Sequence, residues 1–236
     1  MKIEYLHGQR LTPLLHELSP LDLAINGYVE KAKVYFQIEK NFDKSVTREE
    51  REKKLNAAFQ HLEHERMLAE TIVCVQADLA AYQAFGKAQK GAAGRAVLAS
   101  ENHHPTKLLA KLMRAANKPK PSEQHTPHHI VIGKGRTKAA ALARLHIHRY
   151  AIRINDPDNG VWLVKNKADT PHWSMPQSKN HLSIHINNYE TWVLQSITIY
   201  RAENQIRQKL NILGRMLQHG TQPKQVTMPP DEAWNG

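Results

Sequence analysis

Apolar residues recur at helical spacing through the first third of the chain and then give way to short β-branched runs. Leu21, Ile25, Tyr28, Ala32, Tyr35 and Phe36 stand three or four apart, which predicts a helix ending near Lys40. Ser19 can cap its start, and Pro20 fits the first helical position, where a missing N–H costs nothing. A second stripe of Leu55, Ala58, Phe59, Leu62, Leu68, Ile72, Val75, Leu79 and Tyr82 runs to about Phe85, started by Thr47 and Glu50 at capping-box spacing. Two long amphipathic helices joined by a charged turn predict an αα-hairpin.

Gly91-Ala92-Ala93-Gly94 interrupts the pattern, and Thr106 to Ala116 predicts a further helix. The run Asn117-Lys118-Pro119-Lys120-Pro121-Ser122 is polar and Pro-rich, as interdomain linkers are. Beyond it the character changes. His129 to Ile132 is a short β-branched run, Gly133-Lys134-Gly135 a loop, and Thr137 to about His148 helical. Val161 to Val164 follows an Asp/Pro/Asn/Gly turn and predicts a strand. From about Lys179 the chain can be helical as far as Leu217, with Gly220 suited to the C-terminal cap, and the Pro- and Gln-rich residues 221–236 predict a poorly ordered tail. The expected class is α+β: a helical hairpin or bundle over residues 1–116, a linker at 117–127, and a mostly helical domain over 128–220.

Charge sharpens this division. The formal net charge is +11, but residues 1–116 carry 17 Lys and Arg against 14 Asp and Glu, whereas residues 117–236 carry 16 against 8. The second half is therefore the one suited to a polyanionic partner such as nucleic acid. The single cysteine, Cys74, can form neither an internal disulfide nor a thiolate metal site alone, and its apolar helical setting predicts a small buried hydrophobe. No stretch is long or apolar enough for a signal peptide or a membrane span, so synthesis in the cytoplasm is expected, with any export following a signal-independent route.

The basic half also holds the candidate chemistry. In a His128-His129 pair on a strand the two side chains face opposite ways, so one can meet a metal and the other a substrate water. On a helix, His181 and His185 at i, i+4 share a face and can meet one ion. Asn159 before Gly160 closes the turn between the two strands, and its amide could hold the base in one orientation. Each piece is weak by itself, since this chain has 15 histidines and a second pair at His103-His104; the ordered combination is specific.

The run His128-His129-Ile130-Val131, the helix after it, Ile154-Asn155-Asp156-Pro157-Asp158-Asn159-Gly160-Val161-Trp162-Leu163, and then His181, His185 and Tyr189 resemble the AHH nuclease domain of the HNH/endonuclease VII superfamily. The resemblance covers about Gln124 to Leu194, and Pro127 stands where the family has alanine. It implies a ββα-metal finger, His128, His181 and His185 as ligands of one divalent ion, His129 as general base and Asn159 as its positioning residue. Mg2+ and Zn2+ are the expected ions, with Mn2+ and Ni2+ as further candidates. Lys134, Arg136, Lys138, Lys165, Lys167 and Lys179 are the expected phosphate contacts. The function expected is an endonuclease cutting DNA with little sequence preference. Many members of the family are bacterial toxins, which implies an antibacterial effector with an immunity protein and a secretion component on the N-terminal helices. The alternatives are an RNase with the same site and a non-catalytic zinc module that binds nucleic acid. A fourth protein ligand, such as His125 or His172, would favour the zinc module.

Overall fold

The structure is a computed structural model that describes residues 5–6, 9–10, 18–40, 47–184, 187–229, 234 and 236. Strands β1 (Tyr5–Leu6) and β2 (Gln9–Arg10) pair antiparallel. Helix α1 spans Pro20–Lys40 and α2 spans Arg48–Ala88, both starting where their caps predict. The Ser19 hydroxyl accepts from the Asp22 N–H at 3.1 Å while the Asp22 carboxylate accepts from the Ser19 N–H at 2.9 Å. Thr47 and Glu50 make the same reciprocal pair at the start of α2, so each helix satisfies orphan donors of its first turn.

The chain divides into two compact units, between Ala77 and Asp78. In the first, α1 lies antiparallel to α2: Gly27 sits against Glu65, and the Tyr35 and Phe59 rings are 6.0 Å apart. The expected hairpin is thus present, although Cys74, expected to be buried, is exposed beside the groove between the two helices.

The second unit contains the last turns of α2, then α3 (Gly91–Ala99), α4 (Lys107–Ala115), β3 (His125–His129), α5 (Lys138–Arg149), β4 (Gly160–Val164), α6 (Asn187–Thr198) and α7 (Glu203–His219). The expected boundary at 116/117 falls inside it. Leu109, Leu112 and Met113 of α4 are buried, two of them in a cluster with Trp162 and Met175. The Pro-rich run is strapped down, with the Lys118 carbonyl accepting from the Trp162 indole at 3.0 Å and the Lys118 ammonium donating to the Pro157 carbonyl and the Asn211 amide oxygen. Gly91 begins a helix instead of ending one, its φ of +68° being open to glycine; the break lies at Gln89-Lys90. The tail is likewise held as far as Pro229: Val226 is fully buried, and the Asn188 amide donates to the carbonyls of Gln225 and Pro229.

Strands β3 and β4 form an antiparallel hairpin in which His128 faces Val161 and His129 faces Gly160. The Ile130 N–H reaches the Asn159 carbonyl and the Lys165 N–H reaches the Gln124 carbonyl, so residues 124, 126, 128 and 130 turn their backbone groups into the ladder. Pro127 has the other parity, and its missing N–H removes no ladder bond. One face of the hairpin, with Val161 and Leu163, meets the main core of α5, α6 and α7. The other, with Gly160 and Trp162, meets α4; a Cβ on Gly160 would fall 2.6 Å from the Met113 sulfur.

Candidate active site

The turn into β4 is built from the Asp/Pro/Asn/Gly run. Asp156 caps a 3-10 turn over Pro157–Asn159 and shares the Arg207 guanidinium of α7 with Asp158, at 2.8 and 2.9 Å. Burial pushes the Asp156 carboxyl up, whereas Asp158, also opposed by burial, is held below its ordinary range by the Asn211 amide and Arg207. Asn159 is fully buried. Its oxygen accepts from the Val131 N–H at 2.7 Å, and its amide donates to the carbonyls of Val131 and Ile154 at 3.1 and 2.8 Å. These bonds tie the strand after the histidine pair to the turn before β4. They leave no bond to His129, so the expected direct hold of Asn159 on the base is replaced by a hold on the backbone that carries it.

Strand alternation separates the pair as expected. His128 faces α6, where its Nε2 is 3.0 Å from the Tyr189 hydroxyl and its ring meets the His181 ring edge-on at 5.0 Å. Tyr189 donates its one hydroxyl proton to the Ile130 carbonyl at 2.8 Å, so toward His128 it can only accept. A neutral His128 therefore carries its proton on Nε2, with the lone pair on Nδ1. A tyrosine held this way orients a ligand imidazole as a carbonyl or carboxylate does in metal sites. Tyr189 is fully buried in the main core beneath α6.

His181 lies in a 3-10 turn, His181–Ile184, ahead of α6. The long helix expected from Lys179 to Leu217 is interrupted there and again between Thr198 and Glu203. Asn180 accepts from the Ser183 N–H and so starts the tight turn, while the β-branched run Ile197-Thr198-Ile199 gives weak support to continued helix. The i, i+4 geometry predicted for His181 and His185 is thus not that of a regular α-helix at His181, and His185 lies outside the described residues. Among the described residues no three His, Cys, Asp or Glu side chains are grouped to hold a metal. Two of the three expected donors, His128 and His181, are brought together, and the tautomer of His128 suits a ligand.

His129 faces the other way, toward groups that sequence reasoning did not single out. Its Nε2 is 2.9 Å from the Asn155 oxygen, and Asn155 in turn bonds Glu101. The His103 and His104 rings stand edge-on to it at 6.1 and 6.4 Å, so the second histidine pair packs around the same ring. Burial pulls the His129 imidazolium down to about 4; the Asn155 bond works against this, and the two neighbouring histidines add to it. The ring is therefore neutral near pH 7. For Asn155, its place in the Ile154-Asn155-Asp156 run was visible but not its partner. For Glu101, assignment to the N-terminal half hid it.

His125 shares the parity of His129, not of His128. It packs edge-on against His172 at 4.7 Å, and Ser122 and Ser174 bridge the two rings. Neither histidine joins His128 and His181. All six expected phosphate contacts are exposed, but on different parts of the hairpin: Lys134, Arg136 and Lys138 follow its His129 end, Lys165 and Lys167 its His125 end, and Lys179 precedes His181.

Residues 109–217 match the model of AHH, a nuclease family of the HNH/ENDO VII superfamily with conserved AHH. This segment is thus similar to the AHH nuclease family. The match spans α4 to α7, including the strapped run at 117–124, and ends within α7. The match supports a nuclease, a class whose substrate is nucleic acid. No curated protein and no solved structure matches the chain. No described helix is long and apolar enough to cross a membrane.

Proposed function

We propose that the AHH domain is a metal-dependent endonuclease that hydrolyses phosphodiester bonds of DNA with little sequence preference. The observation that carries this reading is the division of the histidine pair by strand parity. His128 is turned to His181 with Nδ1 as its lone-pair nitrogen, while the neutral His129 ring is held on the other side by Asn155. His129 takes the proton of the attacking water as general base. His128, His181 and His185 are the residues proposed to hold a divalent ion. When bound, that ion supplies charge neutralisation at the phosphate and at the leaving oxygen. An all-imidazole set favours Zn2+ or Ni2+ over Mg2+.

The exposed lysines and Arg136 contact phosphates and not base edges, which gives affinity without sequence preference. His129 and His125, at the two ends of β3, are roughly 13 Å apart at strand rise, so basic residues beyond both ends reach different phosphates of one strand. A non-catalytic zinc module would need a closed set of four protein ligands. His125 and His172, the candidates for a fourth, face away from His128. The role in the cell that we propose is an antibacterial toxin, neutralised by an immunity protein and delivered through a secretion component that binds α1 and α2. The apolar residues Ile25, Phe36, Phe59 and Met67 exposed on those helices support a binding role.

Incubation with plasmid DNA and with total RNA, each with and without EDTA, tests the reading. Loss of supercoiled plasmid that EDTA abolishes is expected. Preferential loss of RNA would move the assignment to an RNase, and undiminished cleavage in EDTA would remove the metal.

A further inference from the structure

We propose that Asn155 and Glu101 form a positioning relay that fixes the His129 ring in one tautomer and one orientation, and that the segment supplying Glu101, upstream of the family match, is thereby part of the active site. The proposal deepens the nuclease reading and rests on it for the role of His129.

The bonds around Asn155 leave one arrangement. Asn155 is fully buried, and its side-chain nitrogen lies 2.7 Å from a Glu101 carboxylate oxygen and 2.9 Å from the Asn102 carbonyl. Both partners are acceptors only, so the NH2 end of the amide must point at them. A flipped amide would set its oxygen against a carboxylate and a carbonyl. The Asn155 oxygen is then the atom facing His129 Nε2 at 2.9 Å, and as an acceptor it requires a proton on that nitrogen. Nδ1 is left as the basic atom, and among the described residues it has no hydrogen-bond partner.

Glu101 is itself held from two further directions. The Tyr82 hydroxyl at the end of α2 donates to the oxygen that Asn155 uses, at 2.7 Å, and accepts from the Asn155 backbone N–H at 3.0 Å. The Arg153 guanidinium donates to the other carboxylate oxygen at 2.8 Å and lies 3.7 Å above the Tyr82 ring. The approach of α2 to this segment is close enough that a Cβ on Gly86 would fall 2.7 Å from the Ala151 carbonyl. A carboxylate clamped by a phenol, a guanidinium and an amide cannot rotate, so the amide cannot flip, so the ring cannot change tautomer. Tyr82, Glu101 and Asn102 all precede residue 109, where the family match begins.

Long-range 1H–15N NMR of the full-length protein reads the tautomer directly, with the His129 ring signals assigned by their loss in His129→Ala. The wild type is expected to show a protonated Nε2 and an unprotonated Nδ1. In Glu101→Gln the new amide can donate or accept, which frees Asn155 to flip, and a mixture of tautomers is expected. Asn155→Asp places two carboxylates against each other and disturbs the site. The double variant Asn155→Asp/Glu101→Gln restores an acceptor toward His129 and a donor from residue 101, leaving only the Asn102 carbonyl opposed, so the Nε2–H form becomes predominant again. Plasmid cleavage under single turnover falls by about tenfold or more in each single variant and recovers in the double. A wild-type ring protonated on Nδ1 overturns the relay without need of any variant, as does an unchanged tautomer in Glu101→Gln. Absence of cleavage by the wild type contradicts the nuclease reading alone, because the tautomer is still read.

Discussion

Asn159 shows how one buried amide can set the geometry of a site it does not touch. Its three bonds, to both backbone groups of Val131 and to the Ile154 carbonyl, join the end of the histidine strand to the start of the turn. Asn159→Ala leaves three buried backbone groups without partners, each costing about 1–3 kcal/mol with partial relief by relaxation. The variant is expected to lose about 3 kcal/mol, seen in urea unfolding as a lower midpoint at unchanged slope. The residue itself was legible, because Asn-Gly between two short apolar runs marks a turn and the family resemblance singles it out. Its action on the backbone was not legible, since that depends on which atoms the fold brings within reach. The same holds for Asn155: nothing in spacing says that residue 155 meets residue 101.

At the scale of elements, pattern reading worked where local chemistry decides and failed where tertiary contacts do. The starts of α1 and α2, the cap of α5 at Thr137 and the left-handed Gly220 that closes α7 follow from residue types at fixed offsets. The strands β3 and β4 are five residues each; β-branched and aromatic content found the second, but the first runs His125–His129 and meets the expected run His129 to Ile132 only at His129. What composition misread was the Pro-rich run at 117–122. Its prolines break secondary structure, as expected, yet Lys118 is tied to the 157–158 turn and to α7, so the run straps one domain instead of joining two. The contact of α5 with α6 is another tertiary feature. Glu190 of α6, nearly buried, accepts from the N–H groups of Arg136 and Thr137 at 2.9 and 2.8 Å and from the Thr137 hydroxyl. It thereby places a negative charge at the helix start, where the macrodipole favours one. Glu190→Ala is expected to cost about 2–3 kcal/mol by stranding these donors, and hydrogen exchange should quicken first in the opening turn of α5.

For the molecule as a whole, charge and histidine content act together. The basic second half suits a nucleic-acid substrate, while several of its histidines are folded into places that resist protonation. Burial pulls His148 and His125 below the ordinary imidazole value; the Ile152 carbonyl partly offsets this for His148, and His172 adds to it for His125. In the unfolded chain these rings take up protons near pH 6.5. Below that pH, and down to their lowered folded values, the unfolded state binds more protons, so stability is full above about pH 7 and falls as pH drops through 6.5. Each such ring contributes a slope of up to about 1.4 kcal/mol per pH unit. Urea unfolding at pH 7.5 and 5.5 should show this loss, and a smaller one in His148→Asn, which keeps a donor for the Ile152 carbonyl but cannot be protonated.

We propose His129, neutral and held on Asn155, as the base of a nuclease centre whose other histidines hold a metal. This assignment is met most directly by the rate of plasmid cleavage by His129→Ala beside the wild type, at equal protein and divalent ion, with binding of the ion measured on both. His129→Ala is expected to bind the ion as the wild type does and to cleave at least about 100-fold more slowly, the scale of a lost general base. Equal cleavage by the two proteins would contradict it.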